Sequence, residues 1–269
     1  AVIDAPAGTA PQSVTVTYTV TTSDDQFTGR DNGRYSVVVL ANEVSDTLGL
    51  GSERQSFDAL SVNVGVRLEV EIELLTEVNG LHQTPFWVGF HDGGFDVARG
   101  GLPASRFAGL ELIAETGDAS ELVERFAAES TGTDTVIAAP GGFAGAPIFE
   151  PGEIASQIIE VEDTSTNRFF SFASMTIPSN DAFVANRNSR QYQLFDPQGN
   201  FRGARRITIY GRDILDAGTE VNDPAGGAAF STGGGEGVDE NGAIRVHRGL
   251  DDFVGTGLPT GVNLASAFG

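Results

Sequence analysis

The stretch LSVNVGVRLEVEIELL (residues 60–75) alternates apolar and polar side chains over almost its whole length. In an extended chain a period of two sends successive side chains to opposite faces. Leu68, Val70, Ile72 and Leu74 therefore share one face, and Glu69, Glu71 and Glu73 the other. One apolar face and one wet face is the pattern of an antiparallel sheet lying on a core.

Similar runs lie on both sides of it. SVTVTYTV (13–20) and RYSVVVLAN (34–42) read as strands, and PFWVGFHDGGF (85–95) as a short apolar strand entering a glycine turn. Further on, EIASQIIEVE (153–162), NRFFSFASMTI (167–177), QYQLFD (191–196), ARRITIYGRD (204–213) and GAIRVHRGL (242–250) carry strand signals. DPQGNFRG, between the third and fourth of these, predicts a hairpin. Only FAGLELIAE (107–115) and DASELVERFAAES (118–130) change to helical spacing, joined at Thr116-Gly117. Asp118 with Glu121 predicts a capping box for the second helix. The fold expected is all-β: an antiparallel β-sandwich of about eight strands with two short inserted helices. Residues 1–12 read as an N-terminal arm, 13–250 as one domain and 251–269 as a tail.

Composition narrows the function. The 269 residues carry 37 acidic and 16 basic side chains, a net charge of −21, and every cation is arginine. Such a surface repels nucleic acid and anionic membranes and suits cations or a salty medium. No cysteine is present, so disulfides, thiolate metal sites and cysteine nucleophiles are excluded together. No run of 18 apolar residues exists to span a membrane. The opening AVIDAPAGTAPQ suits a mature exported chain after signal removal, and equally a chain cut at that point. Glycine, at 35 residues, favours turns over long helices. Asn222 to Gly242 is glycine-rich and reads as a long surface loop.

Two phrases hold chemistry. LDAGTEVNDP (215–224) sets Asp216, Glu220, Asn222 and Asp223 around a flexible Ala-Gly-Thr, and MTIPSNDAF (175–183) puts Asp181 just past a strand end. Oxygen donors in turns, without cysteine, favour a hard cation such as calcium. The spacing is not that of an EF-hand. Asp216 and Glu220 converge if Ala-Gly-Thr turns tightly, and calcium then needs a further carboxylate, for which Asp181 is the candidate. Two capped polar turns explain the same residues.

FSFASMTIPSNDAFV followed by DILDAGTEVND resembles the spondin domain, in the form found in stand-alone bacterial proteins. The resemblance extends through Pro85 to His91-Asp92, Gly101, Ala104-Ser105, LELIAETGDASEL, IFEPGE and IRVHRGL, covering residues 13–250. It implies an antiparallel β-sandwich and a calcium ion held by Asp181, Asp216 and Glu220. Animal members usually place Asp where this chain has Glu220, a longer side chain that still ligates calcium. Asn222 and Asp223 rank below these three. The resemblance further implies a secreted or cell-surface protein engaged in adhesion, with an unidentified protein or carbohydrate partner. The integrin and carbohydrate partners of the disulfide-bearing animal modules are not carried over to a cysteine-free chain.

Other chemistries compete with this. Small, charge-poor termini, including GLPTGVNLASAFG (257–269), would suit a self-assembling filament or surface-layer protein, hence a homo-oligomer, and ordinary frayed termini explain the same composition. His91-Asp92 beside a glycine turn resembles a base and its orienting carboxylate, as in a hydrolase, with Ser105 or Ser174 as nucleophile. No GxSxG, HExxH or phosphate loop accompanies it, so the expectation is no catalysis and a structural His91. His82 and His247, too far apart in sequence to argue for a zinc site, read as surface or packing residues. Phe169, Phe170, Phe172, Phe86, Trp87 and Phe90 read as core, with a partner surface as the alternative for Trp87.

Overall fold

The structure, a computed structural model, describes residues 19, 21, 27, 29–43, 45, 49–62, 64–78, 80–141, 146–223, 227 and 237–249. The chain divides into two compact units, residues 1–64 and 65–269. In the first, β1 (Gly33–Val39) pairs antiparallel with β2 (Gln55–Val62), with a register shift between Tyr35 and Ser36. The Asn32 side chain brackets the start of this ribbon, its Nδ2 donating to the Val64 carbonyl at 3.0 Å.

The second unit begins with β3 (Val66–Glu73), so residues 60–75 are not one strand. Their alternation runs across two strands, one ending at Val62 and the other starting at Val66, and the two pair with different partners: β2 with β1, and β3 with β7 (Ile154–Val161). A period of two marks where strands run but carries no information about partners. Within β3 the expected faces hold: Val66, Leu68, Val70 and Ile72 are half-buried, while Arg67, Glu69, Glu71 and Glu73 are exposed.

The main sheet is antiparallel throughout. Its backbone path runs β12 (Arg245–Val246), β11 (Leu215–Asp216), β9 (Ala182–Ala185), β8 (Phe169–Ile177), β5 (Phe86–His91) and β6 (Thr133–Ile137). Short β4 (His82–Gln83) and β10 (Tyr192–Gln193) also pair with β8. β8 is buried along its whole length because both sheet faces are covered. On one face Phe86, Val88, Phe90, Phe170, Phe172, Ala182 and Val184 meet the apolar side of the β3–β7 ribbon through Leu68, Val70, Ile72 and Ile159. On the other, Trp87, Ala173, Phe183 and Leu215 meet α1 (Leu110–Thr116) and α2 (Ser120–Glu129). Strand residues thus alternate between two cores, and the all-β expectation with two short helices holds.

The helices touch through Gly109, whose φ is +82° and whose added Cβ would stand 2.4 Å from the Leu122 amide nitrogen. Gly117, at φ +75°, closes α1 and gives the turn into α2. The expected capping box is not formed. α2 starts at Ser120 with no side-chain cap, and Asp118 Oδ1 instead accepts the Ser120 N–H at 2.8 Å.

Several strand boundaries shrink. Of residues 191–196 only Tyr192–Gln193 are strand, and of 242–250 only Arg245–Val246. The hairpin around residues 196–200 exists, with Phe195 bridged to Phe201, but residues 204–210 join no ladder among the described residues. Apart from Thr19, the expected strand 13–20 lies outside the described residues, as do the terminal arm and tail and much of the glycine-rich stretch.

Candidate functional site

The two acidic phrases meet because β9 and β11 are neighbours. Leu215 pairs with Phe183 and Asp216 with Ala182, which sets the turn before β9 against the turn after β11. Ser179 orders the first turn, its hydroxyl oxygen accepting the Ala182 N–H at 3.0 Å. Asp181, fully buried, closes over the second. Its Oδ2 accepts the N–H groups of Thr219 at 2.8 Å and Glu220 at 3.2 Å and faces the Thr219 hydroxyl at 3.3 Å. The Ala217 N–H donates to the Asp181 carbonyl at 3.2 Å. Asp181 Oδ1, equally buried, has no hydrogen-bond partner among the described residues.

That oxygen lies in acidic surroundings. Burial first, and then the nearby Asp216 charge, push the Asp181 carboxyl up to about 6, against the pull of the Thr219 and Glu220 donors. Glu115 on α1 is pushed up to about 7, by burial first and then by the charges of Glu220, Glu111 and Asp181, with the Thr219 hydroxyl opposing. Glu220 is half-buried and also shifted up by burial, while Asn180 Nδ2 holds its Oε2 at 3.4 Å. Glu115 and Thr219 thus join the cluster. Sequence reasoning missed them, and the only signal was a helix face carrying Glu111 and Glu115 four residues apart.

Asp216 is occupied differently. Oδ1 accepts the Gly218 N–H at 2.8 Å. Oδ2 accepts Asn222 Nδ2 at 2.8 Å and pairs with Arg245, whose Nη2 lies 3.0 Å away. Arg245 also forks onto Glu240, with Nη1 and Nη2 donating at 3.1 and 3.0 Å. His247 Nδ1 accepts the Gly249 N–H, so Nε2 carries the proton and donates to Asn222 Oδ1 at 3.0 Å. Asn222 is therefore part of a clasp, and Asp223 meets the first turn through its N–H, which donates to Asn180 Oδ1 at 3.0 Å. Of the three expected ligands, Asp181 and Glu220 each act on the Glu115 carboxyl, and Asp216 serves the clasp. Among the described residues no group of three or more His, Cys, Asp or Glu side chains is placed to hold a metal ion.

His91 and Asp92 do not form the pair that a base with an orienting carboxylate requires. His91 is fully buried beside Phe95, Phe126 and Phe169; its Nδ1 accepts the Gly93 N–H at 3.0 Å and its Nε2 faces Ser171 Oγ at 2.9 Å. Asp92 is exposed and accepts the Gly94 N–H instead. With Nδ1 an acceptor, Nε2 carries the proton and donates to Ser171, which leaves no basic nitrogen toward that serine. Ser174 is buried and donates to Thr84 O at 2.8 Å.

Burial pushes the His91 pKa down to about 4, with Asp92 and Asp96 opposing. A base with a depressed folded pKa gives stability that is present above its unfolded value and lost as pH falls toward the folded one. Between pH 6.5 and 4 the loss from this residue is expected to reach about 3 kcal/mol. In urea melts, His91→Gln should be weaker at pH 7 yet show a shallower acid slope. A slope equal to that of the parent would show that His91 does not drive acid unfolding.

The fold and site define an all-β chain whose sheet carries two mutually locked acidic turns at one end. No protein-family model matches the chain, and no curated protein matches it. No helix among the described residues is long and apolar enough to cross a membrane.

Proposed function

We propose that this chain is a calcium-binding, non-catalytic module of spondin type, exported and acting in adhesion at a cell surface. The observation that carries the reading is Asp181 Oδ1, a fully buried carboxylate oxygen with no hydrogen-bond donor among the described residues, whose carboxyl lies within electrostatic reach of Glu115, a carboxyl pushed up by burial and also by Glu220. Buried anionic oxygens are costly unless paired or bound to a cation. Asp181 and Glu220 fit as donors to calcium, and Glu115 stands near enough to feel both charges. Too few carboxylates are grouped for an all-acid cage, so the remaining oxygens are neutral ones and water, which calcium accepts readily. Asp216 acts through position, since Arg245 already neutralises it. When bound, the ion would supply positive charge that locks the two turns together.

Calcium is expected to raise the melting temperature relative to chelator, in proportion to ligand excess over its dissociation constant. Titration calorimetry should give one site per chain. Asp181→Asn should abolish both effects, while Asp223→Asn should leave them. If neither calorimetry nor melting responds to millimolar calcium, the calcium reading is wrong. The adhesive role is tested separately, by retention of the purified chain on cells or extracellular polysaccharide.

A further inference from the structure

Residues 203–210 carry a strand pattern that the sheet does not use. Ile207 and Ile209 pack against the sandwich core, and Arg206, Thr208 and Tyr210 are exposed. The run begins where the Arg202 N–H donates to Leu194 O at 2.9 Å and ends at the turn where the Asp213 N–H donates to Tyr210 O at 2.8 Å. Among the described residues, no backbone N–H or carbonyl of residues 203–209 takes part in a hydrogen bond. A segment of strand-like alternation, anchored on a core and with backbone groups unused among the described residues, is an open edge.

The same edge concentrates positive charge. Residues 187–213 hold six of the 16 arginines against only Asp196 and Asp213, a net +4 in a chain of −21. Arg187 is paired with Asp213 at 2.7 Å, and Arg202 donates to the neutral Gln193 at 3.1 Å. Arg205 lies over the Tyr192 ring at 5.2 Å and Arg212 over the Tyr210 ring at 4.5 Å, faces that leave guanidinium N–H groups for an anion. Arg206 is 79% exposed, and its ion pair with Glu73 is long, at 4.0 Å.

We infer that residues 203–210 form a docking edge for an extended acidic peptide, which adds as a strand and sets its carboxylates on Arg205, Arg206 and Arg212. Backbone hydrogen bonds supply the affinity of strand addition, and side chains of alternate residues supply the selection. Charge complementarity selects an acidic occupant, because the rest of this surface repels one. An anionic polysaccharide would satisfy the guanidinium groups but could not use the row of backbone donors and acceptors. A charged edge can also serve merely to prevent aggregation, and the test separates the three cases.

The probe is a fluorescein-labelled peptide of alternating Glu and Val, followed by anisotropy against the full chain. Saturable, salt-weakened binding is expected, unchanged between calcium and chelator, which keeps the result independent of the reading at Asp181. R205S/R206S should weaken it at least about tenfold without moving the melting temperature. The same peptide N-methylated at alternate amides tests the ladder with the protein untouched and should lose binding to a similar degree. Equal binding of the methylated peptide, or equal competition by polyglucuronate of matched charge, would reduce the edge to a simple polyanion patch. No binding of either peptide would make it a protective edge only.

Discussion

Arg245→Ala is expected to lower the unfolding free energy of the second unit by about 3 kcal/mol, out of proportion to a half-exposed arginine. Its side chain is 35% exposed, whereas its partner Asp216 is 1% exposed. The cost therefore arises on the aspartate, which would keep its Gly218 and Asn222 donors but lose the one cation that pairs with it among the described residues. An exposed ion pair is worth at most about 1 kcal/mol, and breaking a buried one about 3–5. This pair falls between them, nearer the buried limit because the desolvated member is the one left behind. The pairing of β11 with β12, through Asp216 and Arg245, should loosen with it. Two measurements check this: urea unfolding, and amide exchange at Thr219 and Glu220. In the Arg245→Ala background Asp216→Asn should recover part of the loss, since a neutral amide needs no counter-ion. A cost below about 0.5 kcal/mol would place the pair with ordinary surface bridges.

The clasp also shows which parts of this molecule are legible in the sequence. Val66–Glu73, by its alternation, and Phe169–Ile177, by its long apolar run, are long enough to declare themselves strands, and both are. Leu215–Asp216 and Arg245–Val246 are two residues each, too short for any period, and Ala182–Ala185 is only four. Their pairing is what brings Asp181 to the Thr219 and Glu220 amides. The sequence offers the two acidic phrases as partners, and the structure joins them, but the partner of Asp216 was hidden 29 residues away behind a glycine-rich stretch. Glu115 was hidden for a different reason. It sits on a helix whose apolar positions explain its spacing completely, so nothing marks its acidic face as turned toward a loop.

The edge at residues 203–210 is the converse case. ARRITIY declares a strand by composition and alternation, and its apolar side, Ile207 and Ile209, is half-buried against the core. Local pattern reports which face is buried but is silent on whether a neighbour completes the ladder.

Trp87→Ala is expected to cost about 3–5 kcal/mol, because Trp87 is the centre of the helix-side core rather than a partner surface. It is fully buried, with its ring 5.4 Å from that of Phe126 and 5.6 Å from that of Phe95. Its indole also lies against Gly89, where an added Cβ would meet the ring at 2.7 Å, so strand β5 is shaped to this side chain. One polar atom needs attention: Nε1 donates to Asp134 Oδ2 at 2.8 Å, from the neighbouring strand β6. Burial pushes the Asp134 carboxyl up, and this bond opposes that shift, so losing the indole leaves a carboxylate that is easier to protonate. Trp87→Phe should therefore cost less than Trp87→Ala, keeping most of the packing while losing the Asp134 bond, worth about 1.5–3 kcal/mol as a bond to a charged group. Adding Asp134→Asn to Trp87→Phe should add little, because the two residues lose one shared interaction. Additive costs in that double-mutant cycle would mean the bond contributes nothing and packing alone carries the residue.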